Sequence, residues 1–317
     1  MIGENLSFTV RRRGTHLTMV GPDHIQSEKH VSVWGQIMAV DEFTRIMGDI
    51  QALFRSRLQI QILIALNDGT KTLAQLRDIT GSSSQALIPK IRKLESSNFL
   101  VFSDYKYNPT PIGRIFTTKI QDIILFKSVI KKHNKFWDQH YTQAIPDEFF
   151  SYIGDLYNSE IITDTNTDIF NVYFNFLKII QESEEIYILS PISSPAHIDA
   201  VLKRIKEGAY VETLVGKDLM GHLSKSPLFD KIYELASHTK SKILVLDEMP
   251  RLGLTVTNKY VSLGLFKNDG ITYDTTTDLF SADPMAVSWG HTLYQHFRTE
   301  ATELKYDESI VHGSPES

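Results

Sequence analysis

Residues 53–108 decide the fold of the first part of this chain and have the sequence LFRSRLQIQILIALNDGTKTLAQLRDITGSSSQALIPKIRKLESSNFLVFSDYKYN. Apolar residues recur there at three- and four-residue spacings in three successive segments, which predicts three amphipathic helices. Residues 99–102 then form a strand candidate, and residues 104–107 supply a turn and a return strand. Three helices followed by a strand pair predict a winged helix-turn-helix, a module whose third helix enters the DNA major groove.

Each predicted helix has its own start or stop signal. Asp68-Gly69 ends the first helix, because glycine accepts the left-handed conformation that is common at helix ends. Thr72 can cap the second helix in a capping box with Gln75, and Ser83 or Ser84 can cap the third. The residues expected to face the core are Leu53, Leu58, Ile62, Leu63 and Leu66 in the first helix, Leu73, Leu76 and Ile79 in the second, and Leu87, Ile91 and Leu94 in the third.

The opposite face of the third helix carries the candidate DNA contacts. We expect Ser83, Ser84 and Gln85 to reach base edges, where hydroxyl and amide groups can discriminate between base pairs. Pro89 is expected in the opening turns of the helix, where few N–H groups have intrahelical partners. The cations expected at DNA phosphates are Lys90 and Lys93 on the helix and Lys106 on the wing.

The charge distribution agrees with a DNA contact in this part of the chain. The whole sequence has a formal net charge of −5. Residues 45–119 carry 11 Lys and Arg against 5 Asp and Glu, whereas residues 120–317 carry 18 against 28. A basic segment on an acidic body is expected when only one domain contacts phosphates. The alternative is a helical module for protein contact whose cations are solvated.

These patterns divide the chain into five expected segments: a poorly ordered extension at 1–44, the winged helix-turn-helix at 45–112, a connecting and dimerisation helix at 113–140, an α/β sensor domain with a mixed sheet at 141–305, and a disordered tail at 306–317. In the extension, Arg11-Arg12-Arg13 can form a basic arm for a DNA groove. We prefer a second interpretation, an extension from an upstream start codon with Met38 or Met47 as alternative starts. The apolar face of the connecting helix either pairs with a second copy or packs on the chain's own domains.

The sensor domain is expected to contain a βαβ unit followed by antiparallel strands. Its first strand candidate, residues 186–189, leads through a Ser- and Pro-rich loop to a helix at 196–207 and a second strand at 211–215. Three apolar runs at 243–246, 252–256 and 260–266 follow with short connections, which favour antiparallel pairing. A final helix is predicted at about 283–300, with Asp283 as its cap and Trp289 in the core or at a site.

A ligand site is expected beyond the carboxyl ends of the strands. Ser190, Ser193 and His197, with Ser194, lie where the first strand meets the next helix, a place that suits an anion or a hydroxylated metabolite. A second group, Tyr273, Asp274 and Asp278, follows the turn that residues 268–270 are expected to form after the apolar run at 260–266. The tyrosine can supply an aromatic wall, and the aspartates can supply hydrogen-bond acceptors. The alternative is that the serines only cap and turn the chain. A metal site from the two aspartates and a histidine is disfavoured, and we expect no metal and no cofactor.

Composition and motif searches exclude several classes of protein. The absence of cysteine excludes disulfides and thiolate metal sites. No apolar run reaches about 18 residues and no signal peptide is present, so we expect a cytoplasmic protein with no membrane span. There is no Walker loop, GxGxxG, HExxH or His-x-Lys pair with a following Asp, so we expect no enzyme.

The chain resembles a family of archaeal regulators over about residues 50–300. The matching motifs, in order, are Leu87-Ile88-Pro89-Lys90-Ile91-Arg92-Lys93-Leu94-Glu95, Phe136-Trp137, Ile145-Pro146, Ile153-Gly154-Asp155-Leu156, Tyr273-Asp274, Asp278-Leu279, Trp289-Gly290 and Phe297-Arg298. They are similar to those of the archaeal winged-helix, ArsR-like transcriptional regulators of the methanogenesis and filamentation regulatory family. The resemblance implies a transcriptional regulator with the family's characteristic C-terminal sensor domain, and it does not identify the signal.

The sequence therefore predicts a homodimer that binds double-stranded DNA and responds to a small-molecule effector in its second domain. Two alternatives stay open. In one, the second domain responds to a protein partner, such as a kinase or another regulator. In the other, the winged helix is a protein-interaction module in a signalling pathway without direct ligand sensing.

Overall fold

The computed structural model describes residues 12–13, 16–17, 27–223, 229–238 and 240–304. The chain divides into two compact units, residues 1–114 and 115–317. No helix in the described ranges is long and apolar enough to cross a lipid bilayer.

Among the described residues of the first unit there are four helices and two strand pairs: β1 (Arg12–Arg13), β2 (His16–Leu17), α1 (Ser27–Phe54), α2 (Arg57–Asn67), α3 (Leu73–Thr80), α4 (Ser84–Ser96), β3 (Leu100–Ser103) and β4 (Lys106–Pro109). β1 pairs with β2 and β3 with β4, both antiparallel. From α2 to β4 this is the winged helix-turn-helix that the sequence predicts.

The first predicted helix was expected to include Leu53, and this was wrong, because the corresponding helix α2 begins at Arg57. Leu53 belongs to α1, and the chain breaks before α2 because the Ser56 hydroxyl caps α2 by accepting from Gln59 N at 3.4 Å. The predicted boundary at residue 45 falls inside α1. Helical structure from residue 27 also enters the segment expected to be poorly ordered, whose first part lies mostly outside the described residues, as does the tail at 306–317.

The capping box of α3 is formed as predicted. Thr72 Oγ1 accepts from Gln75 N at 3.2 Å, while Gln75 Oε1 accepts from Thr72 N at 2.8 Å. Leu76 is fully buried, but the expected burial of Ile79 was wrong, since its side chain is 56% exposed. Each three-residue step turns about 60° around a helix, so Ile79 rotates out of the apolar face that Leu73 and Leu76 begin.

Helix α4 buries its predicted stripe, because Leu87, Ile91 and Leu94 are almost fully enclosed. Pro89 lies in the second turn of α4, in agreement with the predicted placement, but the expectation that few N–H groups there have intrahelical partners was wrong. Leu87 N already donates to Ser83 O at 3.0 Å, so intrahelical bonding has begun before the proline. Pro89 therefore removes a donor from the regular ladder of the helix.

The wing between β3 and β4 turns over two residues. Ser103 pairs with Lys106, and the intervening Asp104 and Tyr105 have φ of 52° and 61°. Two successive left-handed residues form a type I′ turn, whose twist matches that of the flanking strands.

The second unit is an α/β domain, which α5 enters from the first unit: α5 (Pro111–Lys132), α6 (Asn134–Gln139), α7 (Asp147–Phe150), β5 (Glu160–Thr163), α8 (Asn171–Gln181), β6 (Glu185–Leu189), α9 (Pro195–Lys206), β7 (Tyr210–Gly216), α10 (Lys217–Leu223), α11 (Phe229–Ser237), β8 (Ser241–Leu246), β9 (Leu252–Thr257), β10 (Val261–Phe266), β11 (Tyr273–Ser281), α12 (Pro284–Arg298) and β12 (Thr302–Glu303), with 3-10 helices at Thr142–Ala144 and Ile153–Leu156. The single helix predicted for 113–140 is thus two helices, broken at His133.

The sheet is mixed, with strand order β12-β8-β7-β6-β9-β10-β11-β5. β6, β7 and β8 pair in parallel, as the βαβ pattern predicts. β9, β10, β11 and β5 pair antiparallel, and β9 joins the two halves by pairing antiparallel with β6. The sequence did not predict β5 or most of β11. Strand β11 is rich in Thr and Asp and lacks a long apolar run.

The two faces of the sheet carry different side chains in the antiparallel half. On one face, large aliphatic residues of β9 and β10 pack against α12 and the segment from Val129 to Leu156. On the other face, the central positions of the same strands are small residues, namely Gly253, Thr255, Ser262 and Gly264. The parallel half fills this second face with an apolar core that α8, α9 and α11 cover. The small residues therefore leave space on one half of one face.

A buried ion pair ties α12 to β7. Glu212 has a side chain that is 1% exposed, and it accepts from Arg298 Nε at 2.6 Å and Nη2 at 3.1 Å. The hydroxyls of Tyr294 and Tyr210 donate to the same carboxylate at 3.2 and 3.1 Å. Burial and the negative charge of Glu212 raise the pKa of Tyr210 to about 12, so its hydroxyl keeps the proton that it donates.

Replacing Arg298 with methionine is expected to destabilise the second unit by about 3 kcal/mol, because the buried Glu212 carboxylate loses its cation. Urea unfolding followed by tryptophan fluorescence measures the change. The matched control is Lys242→Met, which removes an exposed ion pair with Glu303 and is expected to cost less than about 1 kcal/mol. Equal losses in the two variants would contradict the role given to the buried pair.

Candidate functional site

The outer face of α4 presents polar and charged groups opposite its buried stripe. Gln85, Pro89 and Lys93 are exposed and recur every four residues, so they lie along one side of the helix. Arg92 is also exposed and lies seven residues after Gln85, on the same side. Sequence reasoning missed Arg92, although the helical spacing would have found it.

The other predicted DNA contacts are Ser83, which is exposed just before α4, and Ser84 and Lys90 on the helix. Ser83 Oγ accepts from Ala86 N at 3.3 Å and so caps the helix, while its hydroxyl proton is left for a ligand. Ser84 and Lys90 are half-buried, because each lies beside the apolar stripe.

The wing combines one exposed cation with exposed apolar groups. Lys106 is exposed at the start of β4, as expected for a phosphate contact. Tyr105 at the tip is 88% exposed, and Val101 and Phe102 are exposed on β3. The wing can therefore offer contact to the apolar parts of a partner as well as to phosphates.

A cavity of about 480 Å³ lies in the second unit on the face of the sheet where β9 and β10 carry small residues. Its floor is formed by the backbone of β9 and β10 and by β11. Residues of α8, α9 and the loop after β6 line it from the opposite side. The cavity also extends over the parallel half of the sheet, where residues of β6, β7, β8, α10 and α11 line it. Cavities of this size hold small organic ligands.

Most of the ligand residues expected from the sequence meet in this cavity. Ser190, Ser193 and His197 line it from the end of β6 and the start of α9. Tyr273 and Asp278 line it from β11, far away in the sequence.

Asp274 does not line the cavity, which overturns its expected place beside Tyr273. Successive residues of a strand point to opposite faces, so Asp274 points away from the cavity that Tyr273 and Thr275 line. A register shift between β10 and β11 interrupts this alternation and returns Asp278 to the cavity side. It accepts from Thr276 N at 2.9 Å and Oγ1 at 2.6 Å, and lies 3.2 Å from His140 Nε2. Burial raises the pKa of Asp274, but these hydrogen bonds outweigh that effect and hold the pKa below its ordinary value.

The serine hydroxyls near α9 are mostly engaged by the chain itself. Ser190 Oγ donates to Ile192 O at 2.6 Å. Ser194 Oγ caps α9 by accepting from His197 N at 3.3 Å, and it lies 2.6 Å from His197 Nδ1. Burial lowers the pKa of His197, so its ring is neutral at pH 7. An anion at the N-terminus of α9 would have to compete with these contacts.

The polar end of the cavity lies over Gly264. A Cβ atom built on Gly264 would be 2.2 Å from the Tyr273 hydroxyl and 2.7 Å from Asp278 Oδ1, so only glycine leaves room for both groups. Asp278 Oδ2 accepts from Ser262 Oγ at 2.8 Å. Within the described residues, neither Asp278 Oδ1 nor the Tyr273 hydroxyl makes a hydrogen bond, and neither atom is fully enclosed, so both are accessible to a ligand from the cavity.

The environment of Asp278 changes its acidity. Burial raises its pKa to about 6, the Ser262 hydrogen bond opposes this, and the negative charges of Asp274 and Asp164 add to it. Burial also raises the pKa of Tyr273, with Asp278 contributing, so the tyrosine hydroxyl stays protonated. At neutral pH the polar end therefore holds a carboxylate and a neutral phenol.

Sequence reasoning missed the aromatic and acidic groups on the far side of the cavity. Phe170, Tyr173 and Phe176 line it from α8 and the residue before that helix, and Asp164 lines it after β5. One signal was present, since β9 and β10 alternate large aliphatic residues with glycine, serine or threonine. Such alternation indicates one packed face and one open face. Across the described residues, no three His, Asp or Glu side chains are grouped as metal ligands.

Comparison with known proteins identifies similar domains. The family model described as "Methanogenesis regulatory protein FilR1, N-terminal domain" matches residues 47–128, and the model of the middle domain of that protein matches residues 169–300. Together they cover about two thirds of the chain. The methanogenesis regulatory protein FilR1 of Methanothrix harundinacea (strain 6Ac) is 20% identical over 258 residues, which are 80% of this chain and 58% of the relative. The chain thus spans less than two thirds of that relative's length.

Two solved structures show weaker similarity. The archaeal chromatin protein TrmBL2 is 18% identical, with 82% of this chain and 100% of that chain covered at a TM-score of 0.37. The phospholipase D family member Nuc of Salmonella typhimurium is 10% identical, with 46% and 97% covered and a TM-score of 0.37. At these TM-scores neither similarity supports a statement about function.

Asp278→Asn is expected to stabilise the protein at pH 7.5 by up to about 3 kcal/mol. The folded pKa of about 6 lies above the ordinary value of 3.8, so the ionised carboxylate costs stability above pH 6. That cost disappears as the pH falls towards 4, and the advantage of the variant should disappear with it. Urea unfolding at a series of pH values measures both.

The control for this prediction is Asp274→Asn, a second acid of β11 whose side chain does not line the cavity. The pKa of Asp274 is lowered in the folded protein, so its carboxylate stabilises the fold at neutral pH and the variant should be less stable there. The same sign of change in both variants would contradict the assignment of Asp278 as a penalised, buried acid.

Proposed function

Because the chain belongs to the FilR1 family of methanogenesis regulatory proteins, we propose that it is a sequence-specific transcriptional regulator that binds double-stranded DNA in the cytoplasm. The observation that carries the proposal is the exposed face of α4, where Gln85, Arg92 and Lys93 lie together beside a wing that presents Lys106. The family is one of regulatory proteins and not of enzymes, which agrees with the lack of a catalytic motif in the sequence.

In this proposal the side chains of α4 divide into two roles. Gln85 and the Ser83 and Ser84 hydroxyls contact base edges, since an amide can bond an adenine bidentately. Lys90, Lys93 and Lys106 contact phosphates and position the helix without reading sequence. Pro89 stands between Gln85 and Lys93 and gives the face an apolar contact without a competing hydrogen-bond donor.

Binding to the DNA upstream of the protein's own gene, titrated with salt, tests this proposal against an unrelated duplex of equal length. Lys93→Ala should weaken binding to both duplexes and reduce the slope of log K against log salt by about 0.9. Gln85→Ala should instead reduce the preference for the specific duplex, by about 1–3 kcal/mol. Lys178→Ala, an exposed lysine on α8, serves as the control and should change neither quantity.

An alternative function is suggested by the exposed apolar wing. Val101, Phe102 and Tyr105 would suit a winged helix that contacts a protein instead of DNA. The salt titration separates the two functions, because a steep salt dependence comes from released counterions. If the protein shows no salt-dependent binding to either duplex, the DNA-binding role is excluded.

We also propose that the protein is a homodimer whose two copies pair through α5. Ile115, Ile123 and Phe126 are exposed along one side of this helix, at spacings that place them in a single apolar stripe. A second copy of the helix would cover this stripe in a symmetric contact. A two-fold dimer would present two α4 helices to a two-fold operator.

Phe126→Glu is expected to convert the dimer into a monomer, because it places a charge within the apolar stripe of α5. Light scattering during size-exclusion chromatography measures the mass, and DNA affinity should fall together with dimer content. Ile271→Glu, at an 81% exposed position in the β10–β11 turn, is the matched control and should leave the mass unchanged. A dimeric Phe126→Glu variant, or a monomeric unmodified protein, would rule out this interface.

We propose finally that the cavity of the second unit is the sensor site. Its volume and its mixture of apolar walls with a few polar groups support a small-molecule effector. Ser190, Ser193 and His197 would contact the effector from one side, and Tyr273 and Asp278 from the other. The effector changes DNA affinity if it binds the DNA-bound and free states of the regulator unequally.

A further inference from the structure

We propose that the cavity of the second unit recognises an amine, meaning a ligand with an apolar body and a protonated amino group that lies between Asp278 and Tyr273. The inference rests on the proposed sensor role of this cavity and adds the chemical class of the effector. It also replaces the anion expected from the sequence.

The geometry over Gly264 supplies the acceptors for such a group. Asp278 Oδ1 and the Tyr273 hydroxyl oxygen both lie over this glycine, 2.7 and 2.2 Å from the position that a Cβ would take, so the two oxygens are neighbours on the cavity wall. Both atoms lack protein partners in the described part of the chain. An ammonium has three donors and no acceptor, so it can satisfy both oxygens at once.

The charges around the cavity have one sign. Asp164 and Asp278 are the charged groups among its described lining residues, which include no lysine or arginine. His197 is neutral at pH 7 because burial lowers its pKa. A carboxylate or phosphate ligand would therefore meet two acids and no described cation, whereas a cation would relieve the cost of burying Asp278.

The residues that line the rest of the cavity indicate the chemistry of the part of the ligand that carries the amino group. Phe170, Tyr173 and Phe176 supply aromatic rings from the α8 side, and Tyr173 and Phe176 lie 5.0 and 4.8 Å from the ring of His197. Ile188, Val201 and other aliphatic residues extend the apolar surface. An aromatic or branched hydrocarbon of several carbons fits these walls, and aromatic faces also attract cations.

Three matched compounds test the proposal: 4-phenylbutylamine, 4-phenylbutan-1-ol and 5-phenylpentanoate. They share the apolar body and differ in the charge of the head group. Isothermal titration with the full chain at pH 7.5 should show the amine binding at least tenfold more tightly than the alcohol, with the acid weakest.

Asp278→Asn should abolish the preference for the amine over the alcohol, while affinity for the alcohol changes less than about threefold. The variant is expected to fold, since it removes a penalised charge. Asp247→Asn is the control, because Asp247 is an 83% exposed acid that does not line the cavity, and it should keep the preference.

Each other outcome overturns a defined part of the proposal. If the alcohol binds as tightly as the amine, or if Asp278→Asn keeps the preference for the amine, the cavity binds ligands but the assignment of an amine to Asp278 is wrong. The proposed sensor role of the cavity would be unaffected. Binding of the acid at least as tightly as the amine would lead to the same conclusion. Failure of all three compounds to bind at 5 mM would reject both the amine and the cavity as a sensor site. The DNA titration tests regulation separately.

Discussion

The alternation of large and small side chains on β9 and β10 is the constraint on which the second unit depends. Leucine and valine at every second position build the packed face under α12, while glycine, serine and threonine at the positions between leave the opposite face open. Because a strand sends successive side chains to opposite faces, one pattern produces both the core and the cavity. Gly264 shows how strict this is, since no larger residue fits beneath the Tyr273 hydroxyl and Asp278.

A comparable division of roles shapes the winged helix. Leu87, Ile91 and Leu94 fix α4 to its neighbours and leave the opposite side of the helix exposed. That side collects Gln85, Arg92 and Lys93 as a consequence of helical periodicity. The two candidate sites also differ in charge. Basic residues are concentrated around α4 in the first unit, whereas the charged residues described around the cavity of the second unit are acidic. In our proposal, the first unit selects a polyanion and the second selects a cation.

Patterns that repeat along the chain were predicted well, and contacts between distant segments were not. The capping box of Thr72 and Gln75 and the parallel pair of β6 and β7 follow from short-range rules of spacing. Ile79 and Asp274 were misassigned because the direction of each side chain depends on how its helix or strand is oriented against neighbouring segments. Ile79 is exposed, and Asp274 points away from the cavity. β5 was missed because this edge strand has only two apolar residues, Ile161 and Ile162, and so lacks the longer apolar run that marks buried strands.

The sequence by itself determined the winged helix-turn-helix, the α/β class of the second unit, the family resemblance and several of the polar residues that line the cavity. Only the tertiary structure decided that Ser190, His197, Tyr273 and Asp278 share one cavity, that Phe170 and Tyr173 complete it, and that Asp274 lies outside it. The physical reason is that helix and strand formation obey local periodicity, whereas a cavity forms where segments far apart in the sequence pack with small side chains between them. The acidic character of the cavity and its accessible hydrogen-bond acceptors also result from that packing, since burial and neighbouring charges set the pKa of Asp278.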